Sequence, residues 1–330
     1  MKRIWPLPRI EFRPFDSISE TRPVALVTTE AAWEAVRSRL DLPAVWKADI
    51  QEATESTWNK QTVGLTGEVV YAVGGGLAAD AAKYMACKKD LPLVCLPTAL
   101  SVDAFLTWAS GVRSGGCVEY LETKPPGTLV VDFQVLAQAP LSIRAAGICD
   151  VLSIATGLWD WEYAERKGRN PPEQTFVSHV AKIAEGILDG ALDCAEAAGR
   201  GDPAGLKQLL DCLALEVQLC NLIGHSRPEE GSEHTFAYAV ENEMGKGLPH
   251  GDLVGPGILL MAHIQGQDPE PLRKALEACH IPLERIPRDV VRKTLRALPA
   301  YCAKHKLPFG IAHELTEETI AGVVRSSAPA

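Results

Sequence analysis

No Cys-x-x-Cys pair occurs among the nine cysteines, so no paired-cysteine site is indicated. No run approaches the roughly 18 uninterrupted apolar residues of a membrane span, and residues 1–10 lack the apolar stretch of a signal peptide. The expectation is a cytoplasmic protein with reduced cysteines, most of them small core residues. A basic stripe is also missing. Lys and Arg number 33 against 42 Asp and Glu, and the net charge of −9 is spread along the chain. No nucleic-acid partner is expected, and an anionic ligand would have to be held locally, by backbone N–H groups at helix starts and a few placed cations. Internal repeats and low-complexity segments are absent too.

The chain of 330 residues is longer than one hydrophobic core usually grows, which favours two domains. Its 46% hydrophobic and 23% charged content is ordinary globular composition. Residues 24–28 (VALVT), 69–73 (VVYAV), 93–96 and 128–132 read as buried strands, with helical patterns at 30–40 and 77–87. Strands alternating with helices imply a doubly wound, largely parallel sheet. From about residue 140 the pattern changes. Residues 143–164, 175–198, 203–223, 253–264, 271–279 and 288–304 read as helices, with loops at 168–172 and 227–231, a frayed end at 326–330 and no strand. The expected architecture is an α/β Rossmann-like domain over residues 1–140 and an all-α domain over 141–330.

Three constellations carry chemistry. Gly74, Gly75 and Gly76 lie between a strand and a helix, where glycines let the backbone approach a ligand and the helix start offers free N–H groups to a pyrophosphate. This is not the G-x-G-x-x-G fingerprint, and by themselves the glycines are also compatible with a plain tight turn. Thr98, Ser101 and Asp103 follow the strand at 93–96, at the carboxyl edge where open α/β sheets bind ligands. Asp150, His234 and His250 offer one carboxylate and two imidazoles, a ligand set for a catalytic divalent metal with a position left open. Their spacing alone does not show convergence. His179, His263, His280, His305 and His313 read as ordinary histidines.

The strings VGGGLAADAAKYMA, LPTALSVDAF, TKPPGTLVVD, AGICDVLS with WDW, SRPEEGSEHTFAYAVE and HGDLVGPGILLMA, in that order over residues 65–265, resemble the successive signatures of glycerol-1-phosphate dehydrogenases. These belong to the iron-containing alcohol dehydrogenase, glycerol dehydrogenase and dehydroquinate synthase-like superfamily. The resemblance implies a metal-dependent NAD(P)-linked oxidoreductase acting on a small molecule, expected as a homo-oligomer. It places Asp150, His234 and His250 on the metal, zinc first, with iron and nickel as alternatives. Gly74, Gly75 and Gly76 would hold the cofactor, and Asp80, Lys83, Thr98, Ser101 and Asp103 would line the cofactor and substrate cleft. Thr29 falls where related enzymes carry an Asp that repels a 2′-phosphate, so NADPH is expected to be accepted. Arg227 reads either as a partner for a substrate phosphate or as an exposed residue paired with Glu229 or Glu230.

The chain also departs from the family pattern. Leu77, Val102, Ala104, Cys149 and Ile154 stand where Ser, His, Gly, Gly and Asn are usual, which implies a less polar cleft. Another polyol or alcohol substrate is one alternative, and a lyase resembling dehydroquinate synthase is a second. That lyase usually carries Glu at the first metal position and a Gly-Gly-Lys segment, against Asp150 and Gly115-Gly116-Cys117 here. A binding protein without activity is a third reading, disfavoured because all three metal-ligand types are present.

Overall fold

The computed structural model describes residues 4–326; most of the tail read as frayed therefore lies outside the described residues. Eight strands come first in the chain: β1 (Arg9–Phe12), β2 (Val24–Thr28), β3 (Ala44–Asp49), β4 (Val69–Gly74), β5 (Leu93–Pro97), β6 (Ala109–Ser114), β7 (Cys117–Glu122) and β8 (Thr128–Val131). Among and after them run α1 (Glu30–Val36), α2 (Glu55–Val63), α3 (Gly76–Lys89), α4 (Phe133–Gln138), α5 (Leu141–Arg144), α6 (Ile148–Leu152) and α7 (Ile154–Arg166). The remaining helices are α8 (Ser178–Arg200), α9 (Pro203–Ile223), α10 (Ser232–Met244), α11 (His250–Ile264), α12 (Glu270–Ala278), α13 (Arg288–His305) and α14 (Glu317–Ser326).

Six strands form one sheet in the order β1-β8-β5-β4-β2-β3, every pairing parallel. The apolar runs are continuous because helices cover both faces. Val24 and Leu26 of β2, with Val69, Tyr71 and Val73 of β4, pack into one core. Ala25, Val27, Val70 and Ala72 point into a larger core on the other face, which continues into the helical half of the chain. The four strands read from the sequence are β2, β4, β5 and β8. β1 and β3 are half-exposed edges, and β6 with β7 forms a separate antiparallel hairpin. From Phe133 onward every regular element among the described residues is helical.

Two helical expectations need correction. Residues 143–164 are not one helix, because the chain breaks around Ala145–Gly147 and again at Ser153. Residues 232–244, not read as a helix at all, form α10; it is buried along most of its length and so shows little amphipathic signal. No cysteine is disulfide-bonded and seven of the nine are buried. No helix among the described residues is long and apolar enough to cross a membrane.

Candidate active site

The chain leaves β2 outward to β3 and then returns to pair β4 on the other side of β2. That reversal opens a crevice beyond the carboxyl ends of β2 and β4, where open α/β sheets bind ligands. The glycine turn lies there. Gly74 has φ +146, a conformation that strains residues with a side chain. A Cβ on Gly75 would stand 2.8 Å from Ser101 Oγ, and one on Gly76 would stand 2.6 Å from Val102 Cγ2. Only glycine lets this turn press against the loop after β5. No side chain caps the first N–H groups of α3, so they and the helix dipole are available at the crevice.

The same loop explains the broken helix. Leu100 N donates to Arg144 O at 3.0 Å, and Gly147 N donates back to Leu100 O at 2.7 Å. A Cβ on Gly147 would meet Leu100 O at 3.0 Å. These bonds draw the α5–α6 junction onto the sheet edge and carry Asp150 to the crevice, where its Oδ2 accepts from Asp103 N at 3.0 Å. On the opposite side, Asp160 of α7 accepts from Ser232 N at 2.7 Å and from Ile311 N at 2.7 Å. Asp160 thus pins the start of α10, two residues before His234. His250 opens α11.

Asp150, His234 and His250 come together. One ligand atom from each lies within 4.8 Å of the others, with His250 Nε2 2.8 Å from Asp150 Oδ1. The imidazole rings of His234 and His250 have centroids 5.2 Å apart. Behind His234, the fully buried Glu233 faces Nδ1 at 2.9 Å while also accepting from Gly231 N and from Thr156 Oγ1. Burial disfavours a charged His234, but the hydrogen bond and charge of Glu233, with Glu230 and Asp150 nearby, outweigh it and raise the imidazole to about 9. Burial and the adjacent Asp150 carboxylate push Asp103 up to about 8.

One cleft of about 1040 Å³ is lined by Gly76, Asp80, Ser101, Asp103, Asp150, His234 and His250, near the upper end of the size range of small-molecule sites. Gly74 and Gly75 form the turn at its edge. Thr29 stands beside that turn, its Oγ1 3.9 Å from where a Gly74 Cβ would lie, and Thr98 N closes the strand ends by donating to Gly74 O. Neither threonine lines the cleft, and nor does Lys83. Lys83 is buried, pairs with Asp80 Oδ1 at 2.9 Å and donates to Thr107 Oγ1 and Ala109 O, tying α3 to β6. Leu77, Val102 and Ala104 line the cleft, whereas Cys149 and Ile154 are buried outside it.

Arg227 requires a correction on both of its readings. It is 2% exposed and outside the cleft lining. Its Nη2 donates to Asp160 O at 3.1 Å and Phe309 O at 2.8 Å. Nη2 is engaged by backbone carbonyls of the helical half while Nε is buried without a partner, so Arg227 lies outside the substrate cleft and does not sit exposed beside Glu229 and Glu230.

Several lining residues escaped sequence reasoning. Glu230 accepts from Tyr238 Oη at 2.6 Å and Ser226 Oγ at 2.7 Å, and Tyr120 Oη lies 2.9 Å from Tyr238 Oη. Arg113 forms a fork with Glu241 at 3.0 and 3.2 Å. Tyr120 and Arg113 come from a hairpin with no strong periodic signal. The one available cue was the adjacency of Glu233 to His234 in GSEHTF.

The sequence model of the iron-containing alcohol dehydrogenase family matches residues 20–140. The glycerol-1-phosphate dehydrogenase (NAD(P)+) of Sulfurisphaera tokodaii is 31% identical over 231 residues, which is 68% of this chain and 65% of that relative. The matched stretch thus spans just under two thirds of the relative's length. Among solved structures, a probable glycerol dehydrogenase from Sinorhizobium meliloti 1021 superposes with a TM-score of 0.74 at 17% identity, covering 98% of this chain and 97% of its own. The 2-epi-5-epi-valiolone synthase of Streptomyces hygroscopicus subsp. jinggangensis 5008, solved with NAD+ and Zn2+ bound, superposes with a TM-score of 0.65 at 18% identity, covering 97% and 96%. These superpositions establish the shared fold, a parallel six-stranded sheet followed by a helix-rich half. Residues 20–140 thus match the iron-containing alcohol dehydrogenase family by sequence, and nearly the whole chain shares the fold of the superposed structures.

Proposed function

We infer that the chain is a metal-dependent, NAD(P)-linked dehydrogenase that interconverts dihydroxyacetone phosphate and glycerol 1-phosphate. The observation that carries this reading is the meeting of Asp150, His234 and His250 in the same cleft as the Gly74–Gly76 turn. The similarity to glycerol-1-phosphate dehydrogenases supports the substrate. One carboxylate and two imidazoles suit zinc, iron or nickel, with zinc the first expectation. Glu233 holds His234 by Nδ1 and leaves Nε2 for the ion, as metal-binding histidines commonly require.

When bound, the divalent ion supplies a Lewis acid for the substrate oxygen and the nicotinamide supplies the hydride. The chain's own residues do the rest. Gly74, Gly75 and Gly76 and the start of α3 take the dinucleotide phosphates; Asp80 and Ser101 line the cleft beside them, with Thr29 and Thr98 bordering the turn. Lys83 acts from behind, by fixing Asp80. Asp103, beside Asp150 in the cleft, is placed to pass a proton to the oxygen being reduced.

The test is an assay of the purified, metal-loaded protein with dihydroxyacetone phosphate and NADH or NADPH. Reduction to glycerol 1-phosphate with one reduced cofactor consumed per turnover is expected. Release of inorganic phosphate without net cofactor consumption would mark a lyase instead. No turnover of dihydroxyacetone phosphate, with clear turnover of another ketone or aldehyde, would refute the substrate.

A further inference from the structure

A phosphorylated substrate brings about two negative charges into a cleft with a cluster of acidic side chains in one part of its wall. Asp103, Asp150, Glu229 and Glu230 all line it. Glu229 leaves one carboxyl oxygen without a partner, and behind it the buried Glu216 leaves both. Burial and mutual repulsion push both acids well above the usual carboxylate range. A phosphate placed against this stretch of wall would meet a cluster of acidic side chains and no cation.

The cations nearby are mostly committed. Arg113 is engaged through Nε and Nη2 by Glu241. Lys83 is buried against Asp80, and Arg227 is turned to backbone carbonyls outside the cleft. Lys246 differs from all three. It lines the cleft, is exposed at its rim, and has no ion-pair partner among the described residues. It lies in the loop between α10 and α11, four residues before His250, so their Cα atoms are at most about 14 Å apart and the lysine arm shortens the gap further. Gly245, with φ +64, turns the chain out of α10. A Cβ on Gly247 would come 3.3 Å from Glu241 Oε1, so the loop's backbone rests on the carboxylate that holds Arg113. The loop base is therefore anchored while the lysine is available.

We propose that Lys246 is the specificity-determining cation for the substrate's phosphate group, and that the charge asymmetry of the cleft orients the substrate. The phosphate points to Lys246 at the rim. The hydroxymethyl end lies against Glu229, Glu230 and Tyr238, which can exchange hydrogen bonds with a hydroxyl. The carbonyl between them falls at Asp150, His234 and His250. This rests on the phosphorylated-substrate reading above.

The experiment compares wild type, Lys246→Met and Lys246→Arg, each full-length and metal-loaded, on dihydroxyacetone phosphate and dihydroxyacetone, with NADPH affinity measured separately by fluorescence titration. For Lys246→Met the expected result is a rise of about tenfold or more in KM for the phosphorylated ketone. Its preference over dihydroxyacetone should fall by the same factor, and the NADPH Kd should stay within about twofold of wild type. Lys246→Arg should recover most of the preference. An unchanged preference in Lys246→Met, or a loss appearing only in NADPH Kd, would overturn the proposal while leaving the substrate intact. A wild type inactive on dihydroxyacetone phosphate would overturn both.

Discussion

Nε2 of His250 stands 2.8 Å from Oδ1 of Asp150, across a separation of 100 residues, and Glu233 holds the third member of the group, His234, by Nδ1 at 2.9 Å. Glu233 positions the imidazole without reaching the cleft. We expect Glu233→Ala to weaken divalent-metal affinity about 10- to 100-fold, whereas Glu233→Gln, which keeps an acceptor facing Nδ1, should lose much less. A chelator competition titration checks this, with circular dichroism verifying the fold. Wild-type affinity in Glu233→Ala would show that the ring needs no such support.

Gly76 is held to glycine by Val102, whose Cγ2 a Cβ would approach to 2.6 Å. Gly76→Ala should cost about 1–3 kcal/mol of stability and weaken NADPH binding by roughly tenfold, which is about 1.4 kcal/mol. Adding Val102→Ala should recover much of both losses by removing the clash. If the double variant is no better than the single one, the contact with Val102 is not the reason for glycine.

Arg227 bridges Asp160 O and Phe309 O from a buried position. Arg227→Met leaves those carbonyls without their donor, and we expect about 3 kcal/mol of destabilisation in urea unfolding. The preference for phosphorylated over unphosphorylated substrate should not change. A selective rise in KM for dihydroxyacetone phosphate, with normal stability, would return Arg227 to the substrate site.

Glu20 reports on the sheet rather than on the cleft. Hydrogen bonds and charge from Arg22, with a further bond from Tyr71 Oη, outweigh burial and hold its carboxyl down at about 2, against an ordinary 4.5. The folded pKa is the lower one, so this stabilisation is fully present above about 4.5 and fades as pH falls through about 2. Glu20→Gln should therefore cost on the order of 1 kcal/mol at neutral pH. Its stability curve should merge with the wild-type curve across that acid window. A gap independent of pH would assign the effect to packing.

The sheet was legible where burial was complete. β2, β4, β5 and β8 are apolar runs that few other structures would bury. β1 and β3 are half-exposed edges with mixed residues, and the β6–β7 hairpin lies outside the main sheet, so their patterns resemble loops. Asp150, His234 and His250 were legible by chemical type and by resemblance. Their convergence was not, because it depends on the bonds from Leu100 to Arg144 and Gly147 and on Asp160 holding the start of α10. Arg227 was misplaced because the neighbouring charges of Glu229 and Glu230 suggested a solvent-facing loop. In three dimensions it turns inward to backbone carbonyls that sequence adjacency does not display. Lys246 carried no signal until the other cations had found partners.

The most direct test of the account is metal content, by elemental analysis, of wild type and of the Asp150→Ala, His234→Ala and His250→Ala variants after identical metal loading and desalting. The account predicts one tightly held divalent ion per chain in wild type. Each variant should remain folded, lose most of the ion and lose ketone reduction with it. Undiminished metal content in all three variants would contradict the site.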